Sequence, residues 1–111
     1  MIEIRVRLDK LGCLQAFRAS GHARAARAGE DIVCAAATVL LRTCAHLLSD
    51  GEGQTAAVKA PEPGELSLVL EPPPAERIEW LRGVTEFLLA GIAGLQSEYP
   101  DKLTMNIIEE R

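Results

Sequence analysis

The periodicity of the chain changes once, sharply, and that change limits the folds open to it. Ile2, Ile4, Val6 and Leu8 alternate with Glu3, Arg5 and Arg7, the period-two pattern of a strand with one buried face. From residue 31 the apolar spacing becomes three and four: Val33, Ala36, Ala37, Leu40, Cys44, Leu47 and Leu48 mark one face of a helix ending near Ser49. Asp31 is a suitable N-cap and Gly51 a suitable stop. A chain that opens as a half-buried strand and continues as an amphipathic helix needs a sheet with helices laid on it.

The remaining segments extend this plan. Residues 9–12 read as a turn and residues 13–20 as a second strand, which makes a hairpin. Residues 54–59 and 65–70 read as two more strands; Pro61 and Pro63 cannot donate to a ladder and so belong in the connection. After Pro72 to Pro74 a long helix is expected over 75–99, with Ile78, Leu81, Val84, Leu88, Ile92 and Leu95 as its stripe and Pro100 closing it. Leu103, Met105 and Ile107 suggest a last strand. The expectation is an α+β fold in two layers. About five strands form a mostly antiparallel or mixed sheet with two helices, in the order strand, strand, helix, strand, strand, helix, strand. All 111 residues fit a single domain.

Several function classes are disfavoured. The opening strand lacks the apolar core of a signal peptide, and no uncharged apolar run reaches the length of a bilayer span, so a cytoplasmic protein without membrane contact is expected. A formal charge of -4 implies no overall basic face and argues against a nucleic-acid partner. Cys13, Cys34 and Cys44 are odd in number and irregular in spacing, as in a reduced protein. With His22 and His46 they provide no short-spaced set of metal ligands, so neither metal nor cofactor is expected.

Candidate chemistry lies in the stretch from Gly21 to Thr38. His22 follows the second strand, and Cys34 falls in the first turn of the first helix. A thiol attacks carbonyl carbon as the thiolate, which the positive end of a helix dipole and a nearby imidazole both favour. Asp31 acts against the thiolate through its charge while fixing the turn that presents it. Thr38, four residues beyond Cys34, shares its face and could donate to the thiolate or to a bound peptide. Plainer readings stand beside these: a buried small cysteine, an ordinary cap, a threonine bonded to its own helix. Cys13 and Cys44 read as packing residues and His46 as a partly exposed helical histidine. Trp80 and Phe87, seven apart, read as core or dimer contacts.

The composite of Ser20, Gly21, His22 and Ala23, then Gly29, then the run from Asp31 to Ala36, resembles the ribosomal-processing cysteine protease family called Prp. The likeness spans nearly the whole chain, ending near Tyr99 and Pro100. It implies a peptidase that removes a short N-terminal extension from large-subunit ribosomal protein number twenty-seven, cutting after an aromatic pair. Carried over by position, it makes His22 the base and Cys34 the nucleophile, with Gly21, Asp31 and Thr38 supporting. Thr38 stands where the family usually has serine, and Arg24 and Ala25 stand where many members have Gly-Tyr. The intervening loop is expected to be a mobile flap and the protein a homodimer. The alternative is a non-catalytic assembly factor that holds a ribosomal protein tail without cutting it. A redox-sensing thiol, a third reading, lacks a resolving cysteine.

Overall fold

The computed structural model describes residues 1–21, 32–49, 56–62 and 64–110. Its elements follow the expected order: β1 (Ile2–Leu8), β2 (Leu14–Ser20), α1 (Ile32–Ser49), β3 (Ala56–Lys59), β4 (Glu65–Leu70), α2 (Ile78–Glu98) and β5 (Leu103–Glu109). The expected cap at Asp31, the stop at Gly51, the flap and the first two residues of the third strand lie outside the described residues. The strands form one sheet ordered β3-β4-β2-β1-β5, in which β1 and β5 run parallel and the other pairs antiparallel. This is the two-layer α+β fold with a mixed sheet.

The hairpin between β1 and β2 is held by local polar chemistry. The Asp9 carboxylate accepts the Leu11 N–H at 2.8 Å and the Cys13 N–H at 2.9 Å, and Gly12 takes a positive φ of 80° that favours glycine. The strand register slips between Arg7 and Leu8: Arg7 faces Ala16, but Leu8 faces Leu14, so Gln15 is the extra residue of a bulge.

Ile2, Ile4, Val6 and Leu8 bury one face of β1, and Phe17, Leu68, Leu70 and Leu103 continue the core across the sheet. Each such side chain taken fully out of water contributes roughly 1.5–3 kcal/mol. From α1 the core receives Val33, Ala37, Leu41, Cys44, Ala45 and Leu48, a stripe turned relative to the expected one: Leu41 and Ala45 are buried, while Leu47 is exposed. The helix is apolar around most of its circumference, so its pattern left the rotation open. It also has the length and mean hydropathy, 1.7, of a membrane span, contrary to the expectation that none existed; its buried stripe on the sheet makes it a core helix here.

The second helical segment begins with a short 3-10 turn (Ala75–Arg77), in which the Arg77 N–H bonds back to the Pro74 carbonyl at 2.9 Å. The α2 stripe is Leu81, Thr85, Leu88 and Ile92, with Ile78, Val84 and Leu95 at its edges. Thr85 was not among the expected stripe residues. It is the buried polar side chain among the described residues, and both capacities of its hydroxyl are used.

Candidate active site

Cys34 is the third residue of α1 and is half-buried. The turn that carries it meets the sheet where β2 ends and β4 begins. Between them lies a cavity of about 80 Å³, walled by Ala19, Ser20 and Gly21 from β2 and its end, by Cys34, Thr38 and Arg42 from α1, and by Glu65 and Leu66 from β4. Three of the expected site residues, Gly21, Cys34 and Thr38, are therefore brought to one place. Thr38, exposed, sits one turn beyond Cys34 on the same side of the helix. His22 and Asp31 lie outside the described residues.

Gly21 has a φ of 100°, and a Cβ there would run into the carbonyl oxygen of Met1. The sequence suggested that glycine here would let the backbone approach substrate. In the structure the close approach is to the start of β1, and only glycine tolerates both the crowding and the dihedral.

The other two cysteines are in different surroundings. Cys13, fully buried, donates its thiol to the Ile78 carbonyl at 3.6 Å; burial and the Asp9 carboxylate raise its pKa, partly opposed by Arg82. Cys44 lies on the buried stripe, where burial pushes its pKa up to about 11. Both stay protonated at neutral pH, as packing residues should. Cys34 is the cysteine that opens onto a cavity with polar walls.

Two cavity residues escaped sequence reasoning. Arg42 continues the row of Cys34 and Thr38 at steps of four, a signal present in the spacing but hidden in a mostly apolar helix. Glu65 opens β4 and reaches the cavity only through the pairing of β4 with β2, where it lies opposite Ser20. His46 is an exposed helical residue. Trp80 and Phe87 are 41% and 73% exposed, which removes them from the core. Among the described residues no group of His, Cys, Asp or Glu is placed to hold a metal ion.

The fold has close counterparts. A protein from Streptococcus mutans, SMU.848, superposes with a TM-score of 0.80 at 26% identity, covering 99% of this chain and 96% of its own. The ribosomal processing protease Prp from Staphylococcus aureus, in complex with a covalently linked product peptide, superposes with a TM-score of 0.81 at 17% identity, covering 97% of this chain and all of its own. The same protease in complex with a substrate peptide gives 0.76 at 16% identity, with the same coverage. Comparison with curated protein sequences finds no match. The family described as cysteine protease Prp matches residues 1–104, which decides between enzyme and non-catalytic binder: the chain belongs to the Prp family of cysteine proteases.

Proposed function

We propose that this protease removes the N-terminal extension of a precursor of large-subunit ribosomal protein number twenty-seven, in the cytoplasm, with Cys34 as nucleophile and His22 as base. The observation that carries the reading is the position of Cys34: in the first turn of α1, lining a cavity that Gly21 also walls. In the sequence His22 directly follows Gly21, a residue of the cavity wall. The Staphylococcus aureus protease with its peptides supports a peptide derived from a ribosomal protein as the substrate class.

In this mechanism His22 takes the proton of Cys34 Sγ, and the thiolate adds to the scissile carbonyl carbon. N–H groups of the first helical turn are suited to hold the oxyanion, and the helix dipole favours negative charge there. The carbon–nitrogen bond then breaks, with His22 returning its proton to the leaving amine. Water, deprotonated by His22, hydrolyses the thioester and restores the thiol. In this reading Thr38 donates to the thiolate or to the bound peptide.

The homodimer belongs to the same proposal. Its support is a groove of about 630 Å³ between α1 and α2, lined by Val39, Leu47, Trp80 and Phe87, apolar surface that a second copy would cover. Incubation of the enzyme with the N-terminally extended ribosomal protein, read by intact mass, tests the activity. A single cut that releases the extension is expected, and an unchanged mass after prolonged incubation would refute the substrate.

A further inference from the structure

Both helices cover the face of the sheet that buries Ile4 and Val6, which leaves the opposite face to solvent. The strand register fixes what stands on it. Arg5 lies directly opposite Arg18 of β2, Arg18 opposite Ser67 of β4, and Ser67 opposite Lys59 of β3; Asn106 of β5 lies on the far side of Arg5. This row crosses all five strands with three cations and no carboxylate. Arg7 adds a fourth cation in the next row, flanked by Ala16 and Ile108.

Carboxylates on this face stand in the neighbouring rows: Glu3 and Glu65 to either side of Ser20, and Glu110 past Ile108, where it accepts from the Gln15 amide at 3.5 Å. Arg5, Arg7 and Arg18 are exposed, and among the described residues none has a carboxylate within ion-pair distance. Like charges directly opposite on antiparallel strands have Cβ atoms about 4.5–5.5 Å apart and destabilise the sheet. The Arg5–Arg18 pair therefore costs stability in the isolated protein, and an anion laid across both would offset that cost.

We propose that this arginine row is a docking surface for the phosphate backbone of RNA. Guanidinium groups bind phosphate oxygens in a bidentate fork, and a row of them across a sheet suits a chain of phosphates. Among the described residues this face carries no exposed aromatic side chain for base stacking, so contact is to phosphate and independent of base sequence. The net charge of -4 is carried outside this row, whose own side chains are three cations, a serine and an asparagine. A basic ribosomal protein tail would be repelled here, so the surface serves a partner other than the substrate. The choice of RNA among polyanions rests on the ribosomal reading above; the arginine row itself does not.

The test is fluorescence anisotropy with a labelled oligouridylate, with duplex DNA of equal length and polyglutamate as competitors. Three phosphate contacts on a single strand give a log–log salt slope of about -2, a loss of about twentyfold in affinity between 50 and 200 mM salt. The triple variant Arg5→Gln, Arg7→Gln, Arg18→Gln should lose most of this affinity and flatten the slope by about 2. It should cut the peptide substrate at the wild-type rate. Arg18→Gln alone should flatten the slope by about 0.7 and raise the melting temperature slightly, which guards against a triple variant that folds poorly. Equal RNA affinity of wild type and triple variant, or no binding at 50 mM salt, overturns the inference. Tighter binding of polyglutamate or of duplex DNA overturns it in favour of an acidic peptide or DNA. Cleavage is read separately, so failure to cut with RNA binding intact counts against the protease substrate and leaves this surface standing.

Discussion

The Thr85 hydroxyl accepts the N–H of Leu14 at 2.9 Å while donating to the Leu81 carbonyl at 2.7 Å, and so ties α2 to the sheet at the bulge. Leu14 is where the register of β1 and β2 has slipped, and its N–H is directed to the helix. Thr85→Val keeps the shape but leaves that buried donor without a partner, at a cost of about 1–3 kcal/mol. Thr85→Ser keeps the hydroxyl and should lose less. Denaturant unfolding of both variants checks the order.

Cys44 makes stability depend on alkaline pH. Its pKa is about 11 in the folded protein against an ordinary value near 9, so between these values the unfolded chain loses a proton that the folded chain keeps. Its contribution is full below pH 9 and is lost as pH rises through about 11. Two units correspond to about 2–3 kcal/mol. Cys44→Ala starts less stable because packing is lost, but its stability should fall less steeply over this window. Parallel slopes for the two proteins would contradict the assignment.

Gly21→Ala should destabilise the chain by more than about 1 kcal/mol, since the dihedral alone costs roughly that and the new Cβ must displace Met1. A domain of this size then melts roughly 4–8 °C lower or more. Cleavage should fall as well, because Gly21 walls the cavity beside Cys34.

Limiting iodoacetamide at neutral pH should label Cys34 ahead of Cys13 and Cys44, which are 0% and 4% exposed and hold their protons. Peptide mapping reads the site, and the labelled protein should no longer cut.

The order of elements was legible because alternation in β1 and the spacing of the helical stripes are local properties of the chain. The bulge at Gln15 and the burial of Thr85 were not, since both depend on how α2 meets the hairpin. Leu47 and Phe87 show the same limit: their spacing suits an apolar face but does not say which apolar face meets the sheet. At the site, the motif pointed to Gly21, Cys34 and Thr38, which share the cavity. Glu65 could be found only by pairing β4 with β2, and the requirement for glycine at 21 only by seeing the Met1 carbonyl.

The most direct test of the account is the rate at which Cys34→Ala cuts the extended ribosomal protein, read by intact mass beside wild type, Cys34→Ser and His22→Ala. Without the sulfur there is no nucleophile, so Cys34→Ala should fold, bind the tail and leave it whole. Cys34→Ser should be nearly as inactive, because a hydroxyl is far harder to ionise. A general base contributes about a hundred- to ten-thousand-fold, so His22→Ala should keep at most a small residual rate. Cleavage by Cys34→Ala at the wild-type rate would contradict the assignment of Cys34 as nucleophile.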